Sequence, residues 1–178
     1  LVGLYDARGR QRRRELQAQR DRIEEFGNKA ADVNNYGRAL NRSQSVHDVS
    51  GLVVEAMSSL LDVTESAVIV GNGSFEMVDN TVDGVVEEAL ADVAEQAVDE
   101  SEASFVVHED VPPRVAERDV SAVSLLLLSG DEHSVVLVAL DENPPVRDED
   151  LELVEMLASH ASTALTGILD SDGDTATR

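Results

Sequence analysis

The sequence lacks cysteine and tryptophan, and its only aromatic residues are three phenylalanines and two tyrosines. Without cysteine, the chain can form no disulfide, no thiolate metal site and no cysteine nucleophile. Lysine occurs once, as Lys29. The sequence contains no run of about 18 apolar residues, so none of its segments is predicted to span a membrane. The core must therefore be built mainly from valine, leucine, alanine and isoleucine.

Acidic residues dominate the charge, with 36 aspartates and glutamates against 14 basic residues, a net charge of −22 and a pI near 4.3. Apolar periodicity persists along most of the chain, which favours a folded acidic surface over a disordered acidic chain. The acid-rich, lysine-poor and aromatic-poor composition resembles that of proteins from salt-loving archaea. We therefore interpret most carboxylates as surface adaptation and not as metal ligands. Nucleic acid is not an expected partner of the acidic body, because phosphate binding needs clustered lysine and arginine.

The stretch from Val120 to Leu140 predicts the centre of the fold. Two short apolar runs, 123–128 and 135–140, flank the polar turn at 129–133. Short Val- and Leu-rich runs on either side of a Gly/Asp turn are typical of an antiparallel hairpin. Both runs are almost continuously apolar, which predicts central strands that are covered on both faces.

The remaining pattern predicts an α+β fold, an antiparallel sheet of about five to six strands with helices on its faces, preceded by a long N-terminal helix over residues 9–40. Ser45 is the expected N-cap of a second helix, with Asp48 in a capping-box-like position. Asn72-Gly73 predicts a second hairpin between strands 66–70 and 74–78. The other predicted elements are a helix over 82–99, a strand over 103–107, a loop at Val111-Pro112-Pro113, a last helix that starts at Asp148, and a disordered acidic tail over 170–178.

Residues 1–22 are the basic exception, with seven arginines against three acidic residues, a local net charge of +4. An apolar start followed by arginines is typical of the cytoplasmic exit of a transmembrane helix. It resembles the segment after the last membrane helix in sensor histidine kinases of salt-loving archaea. The stretch from Asp6 to Arg10 partly resembles the last strand of a PAS domain instead, and a solvated basic helix on a soluble protein is the third alternative. We expect this chain to be part of a longer cytoplasmic protein that contains other signalling domains. Within the chain we expect a basic linker helix over residues 1–28, the domain over 29–169 and the acidic tail over 170–178.

Two apolar stripes at heptad spacing mark the first and last predicted helices. The first contains Leu16, Ile23 and Phe26, interrupted by Gln19, and continues to Leu40 through Gly37. We expect its first half to pair two copies in a coiled coil and its second half to pack on the domain's own sheet. The last helix carries the second stripe, whose principal residues are Leu151, Val154 and Leu165. A homodimer is therefore an expected partner arrangement.

Three segments carry a resemblance to the GAF domain family: 120–126, 135–140 and 147–161, the last beginning Arg-Asp-Glu-Asp-Leu. Residues 45–70 are similar to the early helix and first strand of the family, so the resemblance covers about residues 30–169. It implies a regulatory module that binds a small molecule or dimerises, and in the family the first and last helices often pack together across a dimer. By family geometry alone, the residues beside a ligand are Phe75, Phe105, Ser121 and Ser124.

No constellation in the sequence predicts catalysis or a cofactor. The missing cysteines exclude bilin attachment and free methionine sulfoxide reduction, and Asn28-Lys29 with 105–110 does not match the cyclic-nucleotide signature of the family. His47, His108, His133 and His160 lack metal-ligand spacing, and no phosphate loop or catalytic elbow is present. The predicted function is a non-enzymatic sensory or regulatory domain. The alternative is a ligand-free dimerisation module of a membrane-anchored, kinase-like sensor.

Overall fold

A computed structural model describes residues 2–82, 87–99, 105–108, 121–130, 132–141 and 148–175. Within these residues the chain forms four helices and five strands. The helices are α1 (Val2–Leu40), α2 (Val46–Leu61), α3 (Glu87–Asp99) and α4 (Asp148–Thr175), and the strands are β1 (Ser66–Gly71), β2 (Phe75–Asn80), β3 (Phe105–His108), β4 (Ser121–Ser129) and β5 (Ser134–Asp141).

The five strands form one antiparallel sheet in the order β2-β1-β5-β4-β3. The predicted hairpin of β4 and β5 lies in the interior of this sheet, and β2 and β3 are its edges among the described strands. The α+β class predicted from the sequence is confirmed. The range of five to six strands stays a prediction for the whole chain, because several segments lie outside the described residues.

The side chains of β5 explain why its sequence is continuously apolar. Leu137 and Ala139 belong to one buried cluster, whereas Val136 and Val138 belong to another on the opposite face. All four are at most 3% exposed. Alternate side chains of a strand point to opposite faces of a sheet, so a strand covered on both sides has no position left for polar residues.

Helices cover the two faces unequally. The first cluster contains residues of α1, α2 and α4 with one face of the sheet, and α3 covers the other face. A bulge in β4, between Leu126 and Leu128, shifts the pairing register by one residue. Leu125 and Leu127 both point into the first cluster, and Leu128 packs against it. The bulge thus accommodates the run of four leucines, 125–128, without exposing one of them fully.

The predicted cap of α2 is confirmed, with one difference. The Ser45 hydroxyl accepts a hydrogen bond from the Asp48 backbone N–H at 3.1 Å. The Asp48 carboxylate accepts one from the Gln44 backbone N–H at 3.3 Å, one residue earlier than in a capping box. The Ser45 hydroxyl, followed by the Gln44 N–H, lowers the pKa of Asp48 below its ordinary value. At the other end of the helix, Asp62 adopts the left-handed conformation with φ of 55°.

Several predicted boundaries are wrong. Helix α1 begins at Val2 instead of residue 9. It is continuous through residues 28–29, as the predicted helix was, and the division of linker and domain at that point stays a prediction. Helix α4 continues to Thr175, so the predicted disorder is wrong for 170–175. An existing helix extends at little cost, and the Ser171 hydroxyl donates to the Gly167 carbonyl oxygen at 2.8 Å. Val82 lies outside α3, and β3 contains residues 105–107 of the predicted strand. Residues 103 and 104 and the predicted loop at 111–113 lie outside the described residues.

Candidate functional site: the paired first and last helices

Helices α1 and α4 lie side by side and run in the same direction. Lys29 of α1 contacts Asp150 at the start of α4, and Gly37 lies against His160 one level further along. At the end of α1, Leu40 lines the same groove as Ala164. Residue numbers rise together on both helices, which defines a parallel pair. Helix α4 then extends eleven residues beyond Ala164, to Thr175.

A partly buried ion pair joins the two helices at the first level. The Lys29 Nζ lies 3.4 Å from Asp150 Oδ1 and 3.6 Å from Glu25 Oε1. The side chain of Lys29 is 20% exposed and that of Asp150 is 10% exposed. The only lysine of the chain therefore takes part in the contact between α1 and α4. Asp150 is the third residue of α4, where the helix dipole also favours a negative charge.

The second level is a close approach between Gly37 and His160. A Cβ atom placed on Gly37 would lie 2.7 Å from His160 Nδ1 and 2.8 Å from two further ring atoms. The imidazole ring occupies the space above the Gly37 backbone. Gly37 is buried, and His160 is half-buried. Gly37 lies in the predicted stripe although glycine contributes no apolar side chain, and the contact with His160 supplies the reason for the glycine.

The apolar stripe of α1 divides into two parts, as predicted. Its second half is buried in the domain, where Phe26 packs against the first cluster and Val33 and Leu40 belong to it. Leu16 and Ile23, in contrast, are 59% and 65% exposed. Every described side chain from Ala7 to Glu25 is exposed. The predicted packing of the second half is confirmed, and the pairing of the first half stays a prediction.

The stripe of α4 lies inside the domain. Val154 and Leu165 are almost completely buried in the first cluster, and Leu151 is half-buried near the start of the helix. These residues hold α4 against α1, α2 and the sheet of the same chain. They therefore belong to the packing of α4 within one copy, and a second copy can reach them only if α4 moves.

Two of the four predicted ligand residues lie on the α3 side of the sheet. Phe75 packs against the α3 cluster, and its ring covers Gly71, where an added Cβ would lie 2.8 Å from Phe75 Cε1. Ser124 is buried on the same face, opposite Val138. The backbone of Phe105 pairs with Leu125, and that of Ser121 pairs with Asp141. The side chains of Phe105 and Ser121 lie outside the described part of the structure.

Other candidate chemistry receives no support in the described part of the chain. Those residues contain no group of three or more histidine, aspartate or glutamate side chains placed to hold a metal ion. His47 is exposed and His133 is half-buried next to the β4–β5 turn. No described helix is both long enough and apolar enough to cross a membrane.

Sequence reasoning did not find the ion pair or the glycine–histidine contact. Lys29 and Asp150 are 121 residues apart, and nothing local in either segment indicates that they meet. The one available signal was the position of the only lysine, which lies beside Ala30 of the predicted helical stripe and therefore close to a packed surface.

No family model matches the sequence, and no curated protein matches it. Solved structures do match. The GAF domain of a phosphoenolpyruvate-protein phosphotransferase from Coxiella burnetii has a TM-score of 0.62 at 12% identity, over 83% of this chain and 98% of that one. The GAF domain of the potassium sensor histidine kinase KdpD from Escherichia coli has a TM-score of 0.57 at 16% identity, over 82% and 99%.

A third match is the GAF domain/HD domain protein from Geobacter sulfurreducens, with a TM-score of 0.54 at 13% identity, over 70% of this chain and 95% of that one. The chain has the GAF fold. The layers described above are those of a GAF domain, with α1, α2 and α4 on one face and α3 on the other. The fold also accounts for the resemblance seen in the segments that contain the central strands and α4.

Proposed function

We propose that this GAF-fold chain is a non-enzymatic sensory or regulatory module of a cytoplasmic signal-transduction protein, in which α1 and α4 transmit a conformational change. The parallel pairing of the two helices is the observation that supports this most. The exposed first half of α1 extends from one end of the pair, and the last turns of α4 extend from the other, beside the β4–β5 turn. A displacement of α4 against α1 therefore changes the relation between the outer ends of the two helices.

A small molecule on the α3 side of the sheet would supply the signal in this proposal. Phe75 and Ser124 are the described residues assigned to it, and Phe105 and Ser121 are assigned from the resemblance. A ligand shifts an equilibrium only by its difference in affinity for the two states. The ligand must therefore bind one arrangement of α1 and α4 more tightly than the other.

A ligand-free dimerisation module is the second candidate, and the packing of α3 favours it. Val93 and Ala94 of α3 are buried against the sheet, together with Val136 and Val138 of β5. Phe75, assigned above to a ligand, already has a structural role over Gly71. In this alternative the α3 face serves only stability, and α1 and α4 serve only assembly.

Adaptation to high salt completes the proposal. The outer face of α3 exposes Glu88, Asp92, Glu95 and Asp99 at spacings of four, three and four residues, and α3 contains no basic residue. Like charges at this spacing destabilise a helix by about 0.2–0.5 kcal/mol per pair, and salt screens them. We expect the free energy of unfolding by urea to rise between 0.1 M and 2 M KCl. A free energy that falls over this range would contradict salt adaptation.

A melting screen combined with distance measurement tests the transmission. The purified chain, in about 2 M KCl, is melted with nucleotides, amino acids, haem and small organic acids. A ligand at 100 times its Kd adds about 2.7 kcal/mol to the stability of the folded state. Since the chain has no cysteine, spin labels on Arg14→Cys and Asp170→Cys report the distance between α1 and α4 without background.

Three outcomes separate the candidates. A saturable melting shift together with a changed distance distribution supports the sensory module. A saturable shift with an unchanged distribution refutes transmission through α1 and α4. No shift for any compound, in a chain that still dimerises, supports the ligand-free module instead.

A further inference from the structure

The exposed first half of the α1 stripe is the surface that most needs a partner. Leu16 and Ile23 are the exposed large hydrophobic residues of the described chain, and seven residues separate them on one helix. They continue, at heptad spacing, the stripe that Phe26, Val33 and Leu40 bury inside the domain. Arg22 still lines a groove with Asp148 and Glu149 at the start of α4, and at 1.5 Å per residue the segment 2–21 extends about 30 Å beyond it. No described part of the same chain reaches it.

We propose that a second copy of the chain covers this stripe, with the two α1 helices parallel and in register along residues 15–23. The inference rests on the proposed function, because it gives the transmitting helix its partner. In heptad terms Leu16 and Ile23 occupy a positions and Gln19 occupies the d position between them. Parallel pairing in register places Leu16 on Leu16 and Ile23 on Ile23 of the partner copy.

Charges beside the stripe favour the same arrangement. Glu15 is at a g position, and Arg20 is at the e position five residues later, the two positions that meet between parallel coiled-coil helices. Each dimer therefore gains two pairs between Glu15 of one copy and Arg20 of the other. Arg8 and Arg13 occupy the preceding g and e positions, so Arg8 of one copy would face Arg13 of the other and repel it. This repulsion limits the pairing to the segment that follows them.

An antiparallel arrangement is less favourable for these residues. With Leu16 placed against Gln19 of the other copy, the next layer places Ile23 against Arg12. Neither apolar residue then meets an apolar residue, and a guanidinium lies on an apolar layer, which is costly. In the parallel arrangement the central polar layer is Gln19 on Gln19, a kind of contact that fixes register at some cost in stability.

Salt dependence distinguishes this surface from an electrostatic docking site. Outside residues 1–22 each copy has a net charge of −26, and parallel pairing brings the two acidic bodies close together. Salt weakens that repulsion, so dimerisation should strengthen as KCl increases. Binding of the α1 arginines to anionic lipid should weaken instead, because salt screens attraction between opposite charges.

The first experiment measures the dimer dissociation constant of the full chain by analytical ultracentrifugation in 0.2 M and 2 M KCl. Leu16→Ser/Ile23→Ser removes four apolar side chains per dimer from the pairing surface and should raise the Kd at least about 100-fold, because both apolar layers of the contact are lost. Both residues are exposed in one copy, so unchanged helicity and melting confirm the fold. Arg14→Ser/Asp21→Ser, on the opposite face with the same net charge, is the matched control and should leave the Kd within about threefold.

The second experiment tests orientation. Gln19→Cys should form an intermolecular disulfide under mild oxidation, because d positions face each other in a parallel pair, and Asp21→Cys should not. Glu15→Arg and Arg20→Glu should each raise the Kd, and the double variant should restore it, because the pair is reversed but kept. In an antiparallel pair g positions face g positions and e positions face e positions, so Glu15 would not face Arg20 and the double variant would not recover.

Four results would overturn the inference: a monomer at both salt concentrations, a dimer that the Leu16→Ser/Ile23→Ser variant retains, a double charge variant without recovery, or association that weakens as KCl rises. Vesicles of anionic and zwitterionic lipid serve as the last comparison. Binding to anionic vesicles that competes with dimerisation would assign the segment to a membrane surface instead. The proposed transmission remains testable in the monomer, since the labels on α1 and α4 belong to one chain.

Discussion

Replacing Lys29 by methionine tests whether the ion pair holds α4 against α1. Methionine has a similar length and helix propensity, so the change removes chiefly the charge. Exposed ion pairs contribute about 0–1 kcal/mol, and breaking a buried pair on one side costs about 3–5 kcal/mol. The side chains of Lys29 and Asp150 are 20% and 10% exposed, which places this pair between those limits. We expect Lys29→Met to reduce the free energy of unfolding by about 2 kcal/mol.

The reciprocal change should cost less. In Asp150→Asn the ammonium group of Lys29 keeps Glu25, whose Oε1 already lies 3.6 Å away, and a lysine can move its charged end into water. We expect a loss of about 1 kcal/mol. The double variant should cost less than the sum of the two, because no carboxylate is left buried beside an apolar side chain. The coupling energy should then be about 1–2 kcal/mol.

Urea denaturation at a fixed 2 M KCl measures all four proteins without changing the ionic strength. Lys29→Arg is the conservative control and should retain most of the stability. If Lys29→Met costs less than about 0.5 kcal/mol, or if the two single changes add without coupling, the pair behaves as an exposed one. The assignment of Lys29 as the link between the two helices would then be refuted.

Three further sites, one of them with a control substitution, test the packing and a helix cap. Gly37→Ala should destabilise by about 1–3 kcal/mol because its Cβ overlaps the His160 ring, whereas Gly27→Ala, with open space around it, should stabilise by up to about 1 kcal/mol; equal effects in urea denaturation would contradict the contact. Ser66→Ala should leave stability unchanged or raise it by about 1 kcal/mol, because the Ser66 hydroxyl is buried without a hydrogen-bond partner among the described residues; a clear loss would reveal a partner. Asp62→Gly should raise the melting temperature, since glycine adopts the left-handed conformation of this cap at no steric cost, and a lower melting temperature would show that the aspartate side chain contributes to the cap.

Local patterns were sufficient to predict the elements of this fold. The polar turn after Ser129 and the Asn72-Gly73 pair each interrupt apolar runs, and both hairpins form. Ser45 caps α2 because its hydroxyl needs only the N–H three residues later. These features depend on neighbours in sequence, which is why composition and spacing reveal them.

Features that depend on distant neighbours were not predictable. The last turns of α4 contain acidic and small residues, a composition that predicted a disordered tail. Leu169 is nevertheless half-buried, and the helix continues past it. The pairing of Lys29 with Asp150 requires both helices to be placed on one face of the sheet before the two side chains can meet. The β4 bulge is a further example, because a run of four leucines shows no preference for where the extra residue goes.

The location of a ligand effect follows from the two-sided structure of β5. A molecule on the α3 side would touch the cluster that contains Val136 and Val138, whereas α1 and α4 pack on the cluster that contains Leu137 and Ala139. One strand therefore contributes alternate residues to the face that would receive the signal and the face that would transmit it. Because packed interiors do not deform continuously, a shift of β5 must be accommodated on both faces together. Under the proposed function, the sheet itself connects sensing and transmission, and the contacts of Lys29 with Asp150 and of Gly37 with His160 are the points at which α1 would register a movement of α4.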